Sequence, residues 1–431
     1  MIEHSLRTLC LALILGTAVA CSCLRPPPPQ AAVTQKTPES TSCLDAIPNE
    51  FIVWVKDRSS KDQLKKILGD LSGPPRFEDP SPTLLLVKNA PAREVINVLE
   101  QQRELIEAYD GNARVTLLKT PSDGDFNAQC GLKTIRAESA WDYAHPENAK
   151  TIRVAIIDSG IAPHRDLPAS LPDTDLYGHG THIAGIIGAM QGNGGVVGVV
   201  WDVKLFGYSF TNSGQGDLDK ALGKLDDALA QNPPPNIIVL AWGTSCRESS
   251  RILEQKFRKN PEILFVTAAG NSGLDLAQNP MYPAALQHPS APKSIDNLIT
   301  VMATACDDTV PIYTAFGKDH IDLAAPGSAA LTSAPCGDIC KTSPRGIFST
   351  VINDLHCCMT GTSMSAGFVA GAAALIWGNH LSPTASKIKK CLVESAEPIA
   401  ALRNLSISGG RLDLRNAAEP NNLSAPSCKD P

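Results

Sequence analysis

The segment Thr151 to Ile157 (TIRVAII) is nearly continuous β-branched apolar sequence, and it ends at Asp158. A strand of a half-solvated sheet alternates apolar with polar residues. One that does not alternate is buried on both faces, the condition of a parallel strand with helices packed on each side. This run therefore calls for an α/β fold with layers of helices, and it sets Asp158 at the carboxyl end of a strand, where open α/β sheets carry their active sites. A second buried strand, Ile263 to Thr267, leads into AAGNSG, a glycine-flanked loop that presents Asn271.

Two further motifs lie downstream in order. His179 sits in GHGTH before a small-residue apolar stretch, Thr181 to Met190, that reads as a helix. Ser363 sits in GTSMS and opens the helical run Met364 to Trp377, which puts its hydroxyl at the positive end of a helix dipole. A serine hydroxyl becomes a nucleophile only when a neighbouring base takes its proton, and that base needs an acid to fix its tautomer and stabilise its charged form. Asp158, His179 and Ser363 supply these three types. Glycine-flanked histidines and serines are common in ordinary loops, so each motif alone reads as structural. The weight lies in their combination with Asn271, whose side-chain amide is able to face a developing oxyanion.

With QCGLKTIRAESAWD, IAPHRDLP, GNGGVVGVVWDVKLF, IIVLAWG, AAGNSG, IDLAAPG, GTSMSAGFVAG and SGGRLDL in that order, the chain from about Cys130 to Ala418 resembles the subtilisin-like (S8) serine proteases. The order Asp, His, Ser is the subtilisin order. The resemblance implies a three-layer fold with a mostly parallel sheet, Asp158 as acid, His179 as general base, Ser363 as nucleophile and Asn271 as oxyanion donor. It also implies that Ser213 and Gly214 form an edge strand pairing with substrate backbone, and that Ala241, Trp242 and Gly243 form the facing edge. Recognition by strand addition reads main chain first, so the implied activity is endopeptidase action on extended or unfolded polypeptide. Loss of an oxyanion donor costs ~2.7–4 kcal/mol, a figure known for the equivalent asparagine of a subtilisin.

The chain departs from the family at two places. After GTSMS the family usually has Ala-Pro-His-Val, whereas Ala366 is followed here by Gly367 and Phe368. Glycine costs roughly 0.5–1 kcal/mol in a helix relative to alanine, so the expectation is a relaxed nucleophile segment and lower or more selective activity. Ala241 stands where a serine is common, but that edge acts through its backbone. The chemistry requires no cofactor. Asp166, with the loop Gln191 to Val197, matches a family position that binds calcium, although Asn193 is displaced by one residue and a glycine-rich turn needs no metal. No metal ligand set is assigned: His356 adjoins Cys357, but the spacing matches no standard zinc pattern. His145, His164, His288, His320 and His380 read as surface or packed imidazoles.

The chain of 431 residues is 43% hydrophobic and 19% charged, enough to bury a large core, and its net charge of -6 argues against a nucleic-acid partner. Residues 1–20 read as an export signal. Arg7 precedes an apolar stretch, Leu9 to Val19, too short to span a membrane. Ala18-Val19-Ala20-Cys21 resembles a bacterial lipobox, with Cys21 lipidated and Ser22 compatible with outer-membrane sorting; the alternative is ordinary cleavage after Ala20. Residues 21–46 form a proline-rich tether.

Residues 47–118 form a separate module. Strands are expected at Phe51–Val55, Thr83–Val87 and Leu105–Tyr109, with a weaker one near Arg76–Glu78, and helices at Lys61–Leu68 and Ala92–Gln101. That β-α-β-β-α-β order is ferredoxin-like and resembles the inhibitor-like propeptide of subtilisin-like proteases, whose tail, here Asp110 to Thr120, blocks the cleft. The resemblance implies a zymogen that cuts itself between roughly Leu117 and Asp123. Residues 119–420 form the catalytic domain and 421–431 a tail. Of 13 cysteines, 11 remain once Cys10 leaves with the signal and Cys21 carries lipid. Export makes disulfides reasonable, an odd number leaves one over, and Cys336, Cys340, Cys357 and Cys358 suggest a pinned loop beside the cleft. The expected location is the bacterial envelope, or the exterior after propeptide release. Two competing readings are a surface-binding lipoprotein that captures peptides on an inactive fold, and an intramolecular chaperone or structural envelope protein.

Overall fold

The computed structural model describes residues 46–73, 75–113, 121–168, 175–286, 294–329, 345–380, 383–419 and 426–428. The export signal, Cys21, most of the tether, His288, Cys336, Cys340 and the stretch 114–120 lie outside the described residues. No helix among the described residues is long and apolar enough to cross a membrane.

The N-terminal module has the expected elements: β1 (Ala46–Val55), α1 (Arg58–Leu68), β2 (Arg76–Ser81), β3 (Leu84–Lys88), α2 (Ala92–Gln101) and β4 (Ile106–Ala113). Its antiparallel sheet runs in the order β2-β3-β1-β4, with Val53 opposite Leu85 on one side and Tyr109 on the other. Asp57 caps α1 by accepting from the Ser60 amide at 2.7 Å. Leu64 and Leu68 of α1 and Val95 and Leu99 of α2 close over Phe51, Val53 and Val55. Period-two alternation sends Ile52 and Trp54 to the opposite face, where Trp54 is 53% exposed.

In the larger domain the elements continue as α3 (Cys130–Thr134), α4 (Ala137–Ala140), β5 (Arg153–Asp158), α5 (His179–Gly188), β6 (Lys204–Ser209), α6 (Leu218–Leu229), β7 (Ile237–Leu240), α7 (Arg247–Lys259), β8 (Leu264–Ala268), β9 (Leu298–Ala305) and β10 (Leu323–Ser328). Then follow the hairpin β11 (Ile347–Val351) and β12 (Leu355–Met359), α8 (Thr362–Gly378), α9 (Ala385–Glu394), β13 (Glu397–Pro398), β14 (Gly410–Arg411) and α10 (Leu414–Ala418). The main sheet runs β13-β14-β10-β9-β8-β7-β5-β6, parallel apart from the β13–β14 pair. Alternate residues of one strand serve different cores: Val154 and Ile156 pack toward α5 and α8, while Ala155 and Ile157 pack toward Leu225 of α6 and Phe257 of α7. This is the three-layer arrangement that the non-alternating run demanded. The neighbours of β5 are β6 on one side and β7 on the other, so successive crossovers leave it in opposite directions and open a crevice at its carboxyl end.

Packing adds a second consideration at Gly367. Helix α8 is unbroken from Thr362 to Gly378, and Gly367 is buried within it. A Cβ at Gly367 would stand 3.2 Å from Ile186 Cγ2 and 3.6 Å from Ile183 Cγ2, so the glycine lies in the contact between α5 and α8. Its propensity cost is set against closer contact between the two helices that carry His179 and Ser363. Phe368 is 3% exposed, and its ring fills the space left by Gly131 of α3, where a Cβ would come 2.2 Å from Phe368 Cζ.

Disulfides Cys130–Cys306 and Cys391–Cys428 tie α3 to the end of β9, and α9 to the C-terminal segment. Cys357 and Cys358 on β12 are each disulfide-bonded as well, in keeping with a pinned segment ahead of the nucleophile.

Candidate active site

Asp158 ends β5 with only 4% of its surface exposed, and its Oδ1 lies 2.7 Å from His179 Nδ1. The same oxygen accepts the Ser159 amide at 2.8 Å, which holds the carboxylate in place. With Nδ1 donating to Asp158, Nε2 is the nitrogen left as the base. Burial pulls the His179 pKa down. The adjacent Asp158 charge and hydrogen bond, with a contribution from the Asp175 charge, outweigh it, so the pKa lies above the ordinary 6.5.

Asp175 is a residue that the motif reading passed over. Its Oδ1 accepts from the amides of Tyr177 and Gly178 at 2.8 and 2.7 Å, and its Oδ2 from the amide and hydroxyl of Thr181 at 3.0 and 2.7 Å. One carboxylate thus organises the first turn of the helix that bears His179, and it adds negative charge at that helix's amino end. The available signal was an acidic residue just ahead of a helix start.

Behind α5 stands the β11–β12 hairpin. Ser349 and Thr350 donate to the carbonyls of His182 and Thr181 at 2.9 and 2.7 Å, and His182 Nε2 lies 2.9 Å from the Ile347 carbonyl and 3.0 Å from that of Cys357. Burial drives the His182 pKa down to about 3, against the partial support of these carbonyls, so the ring is neutral and acts as a structural donor.

Ser363 heads α8, and its hydroxyl donates to the Ala241 carbonyl at 3.2 Å, not to His179. The nucleophile and the predicted substrate edge Ala241–Gly243 are therefore adjacent. An attack assisted by Nε2 would require the hydroxyl to turn away from that carbonyl. Asn271 Oδ1 accepts from the amide and hydroxyl of Thr362 at 3.0 and 3.1 Å. This consumes the oxygen side of the amide and leaves Nδ2 as a donor beside Gly361, where a Cβ would stand 3.0 Å from that nitrogen. Gly361 also has φ of 156°, so a side chain there would be strained as well as in the way. Thr362, unremarked within GTS, fixes the orientation of Asn271.

Ser213 and Gly214, expected to form an edge strand, are not in a strand: they follow β6 in an exposed bend, where the Ser213 amide turns back to donate to Thr211 Oγ1 at 3.3 Å. Tyr177 lies against it: a Cβ at Gly214 would come within 2.6 Å of the tyrosine ring. Between the two edges, Phe210 and Trp242 meet edge to face with centroids 5.6 Å apart. Asp158, Ala241 and Asn271 thus lie at or just past the carboxyl ends of β5, β7 and β8, with His179 against Asp158 and Ser363 against Ala241, while Ser213 and Gly214 follow β6.

The loop Gln191 to Val197 does not fit the calcium ion that the family position suggested. Calcium takes six to eight oxygen ligands, but this loop turns its amides inward: Gly192 and Gly194 donate to Asp123 Oδ1 at 2.9 and 3.0 Å, and Val196 to Asp166 Oδ2 at 2.9 Å. The carbonyls of Gly194 and Gly195 are taken by the amides of Gly124 and Asp125. Asp123 does the organising that a cation would do.

The subtilase family (peptidase S8) profile matches residues 149–423. The chain belongs to the subtilase family. It is 27% identical to the minor extracellular protease Epr of Bacillus subtilis, covering 76% of this chain and 47% of that one. It is 28% identical to halolysin of Haloferax mediterranei, covering 76% and 60%, and 30% identical to subtilisin DY of Bacillus licheniformis, covering 62% and 90%. The chain thus spans 47–60% of the length of the first two relatives. A solved protease structure from Pseudoalteromonas arctica superposes with a TM-score of 0.56 at 22% identity, covering 70% of this chain and 99% of that one, and it shows the subtilase fold.

Proposed function

We propose that this subtilase is a serine endopeptidase that cleaves extended or unfolded polypeptide and is made as a self-processing zymogen. The observation that carries the reading is the Asp158–His179 pair at 2.7 Å, set in the crevice where Ser363 heads α8 against the Ala241 carbonyl and Asn271 keeps an amide free. Substrate backbone pairs with Ser213–Gly214 on one side and Ala241–Gly243 on the other. Ser363 Oγ attacks the peptide carbonyl carbon while His179 Nε2 takes its proton. Asn271 Nδ2 stabilises the oxyanion, and the imidazolium, held by Asp158, returns the proton to the leaving amine nitrogen as the C–N bond breaks. Water then attacks the acyl-enzyme by the same route, releasing the carboxyl product and restoring Ser363.

The finer parts of the reading concern the ends of the chain. Residues 47–118 act as propeptide, which their ferredoxin-like fold supports, and cleavage between Leu117 and Asp123 separates them from the catalytic domain. Residues 1–20 direct export, an inference in line with the relative named as extracellular. Cys21 carries lipid, which holds the zymogen at the envelope until the propeptide is cut.

The deciding experiment compares the full chain with Ser363→Ala, both expressed with export signal and propeptide, by intact mass and by hydrolysis of an unfolded protein. The expected outcome is a wild type shortened near Leu117 that degrades the substrate and a variant that does neither. Equal processing and equal hydrolysis in both would overturn the nucleophile assignment. Two inert full-length proteins would favour a peptide-binding protein on an inactive fold. Mass of the amino-terminal fragment reads out lipidation of Cys21 separately.

A further inference from the structure

His164, Asp166 and His356 converge although His356 lies 190 residues beyond Asp166. His164 and Asp166 belong to the loop after β5, and His356 to β12. Ring nitrogens and carboxylate oxygen from the three lie within 4.8 Å of one another. The side chains of His164 and Asp166 are fully buried and that of His356 is 8% exposed. His356 Nε2 is 2.6 Å from Asp166 Oδ2, and the two imidazoles meet edge to face with centroids 5.0 Å apart. The other oxygen, Asp166 Oδ1, is buried and makes no hydrogen bond among the described residues, its nearest charged neighbour being Arg165 Nε at 3.9 Å. A buried, unsatisfied carboxylate oxygen is a costly arrangement that calls for a cause such as an ion.

From this geometry we infer that His164, Asp166 and His356 bind a divalent transition-metal ion of the zinc class. Two imidazoles and one carboxylate suit zinc, and they are the wrong donors for calcium. The outer contact of His164 matches that of a metal-ligating histidine. His164 Nε2 lies 3.0 Å from the Leu355 carbonyl, an acceptor only, so Nε2 carries the proton and Nδ1 is the lone-pair nitrogen, now accepting the Asp166 amide at 3.0 Å. Such a bond from the far nitrogen to a backbone carbonyl fixes the tautomer that a metal requires. His356 Nδ1 faces Asp125 Oδ2 at 3.9 Å, beyond hydrogen-bond distance, so Asp125 would have to close in to serve as its outer partner. Binding moves the His356 proton from Nε2 to Nδ1, which frees Nε2 for the ion and Asp166 Oδ2 from that contact, while Oδ2 keeps the Val196 amide at 2.9 Å. Asp354, whose Oδ1 is 3.6 Å from His164 Nδ1, or a water fills the fourth position. The ion joins the loop that follows Asp158 to the hairpin that supports α5, and it does so without contact with the triad, so this inference stands whatever the chain hydrolyses.

The test uses the full chain with Ser363→Ala, so that neither autolysis nor inhibition at His179 enters, freed of metal by chelator and kept under non-reducing conditions. Zinc titration followed by isothermal calorimetry should give one equivalent bound. Saturation at about a hundred times Kd should raise Tm by roughly 5–10 °C, and calcium should do neither. In the same background, His356→Gln and His164→Gln should each weaken binding at least tenfold. Equal zinc affinity in parent and both variants, or no zinc bound by the parent, would overturn the assignment. Cobalt(II) added to the chain with His164 and His356 intact guards against a variant that fails to fold. Visible d–d bands without a thiolate charge-transfer band are expected; a thiolate band would place the ion on cysteine and refute the site.

Discussion

The four-stranded sheet of the N-terminal module buries one face, whereas the eight-stranded sheet of the catalytic domain buries both. In the module, Val53 is covered by two helices while its neighbours Ile52 and Trp54 face outward. In the domain, Phe265 packs on one side against Phe257 at a centroid distance of 4.2 Å, and its neighbours Leu264 and Val266 pack on the other. A two-sided sheet has no face left for function, which moves the chemistry to the ends of its strands. A one-sided sheet keeps an apolar surface that gains stability only by meeting something else.

The contrast is open to experiment. Phe265→Ala, at a site with no exposure, should cost about 3–5 kcal/mol in the unfolding of the catalytic domain, read by denaturant titration. A loss below 1 kcal/mol would mean that the second face is not packed as described. Asn271→Ala tests the strand-end site: kcat should fall by about 10²–10³ with KM little changed, and Tm should fall by a few degrees because the Thr362 amide and hydroxyl lose their acceptor. A fall in Tm with kcat preserved would make Asn271 a structural residue.

Asp175→Asn addresses charge more finely. The native carboxylate stabilises the His179 imidazolium, so His179 keeps its proton to a higher pH than an ordinary histidine and the neutral base appears later as pH rises. Removing that charge should move the acid limb of kcat/KM to lower pH, toward 6.5, and an unmoved limb would confine Asp175 to holding the loop. Smallest of all, Trp54→Ser should shift the module's own unfolding by no more than about 0.5 kcal/mol, since the side chain is half exposed. A larger loss would show that this face is already covered.

Much of this molecule was legible because its strongest signals are local. The run before Asp158 announces a strand buried on both faces, and the structure has it at Arg153–Asp158. In the module, Ala92–Gln101 is a helix with the expected bounds, and Arg76–Ser81 is a longer strand than the weak signal implied. What stayed hidden depends on neighbours brought from afar. Gly367 looked like a flaw in a helix because propensity is counted within one helix, whereas Ile183 and Ile186 of another decide its worth. His356 adjoins cysteines in sequence, whereas His164 and Asp166 reach it through the β11–β12 hairpin, a pairing across 190 residues that no local spacing announces. Asp123 likewise reaches the loop Gln191 to Val197 from about 70 residues upstream.

The contact between Gly131 and Phe368 carries a constraint on descent. With 2.2 Å between a Cβ at 131 and the ring tip at 368, alanine at 131 forces the phenylalanine at 368 to shift within a packed core, and a small residue at 368 alone opens a hole where α8 meets α3. Each single step is disfavoured and the paired change is not. Among close descendants of this chain the two positions should therefore covary, with Gly–Phe exchanged as a unit and the intermediates rarely retained.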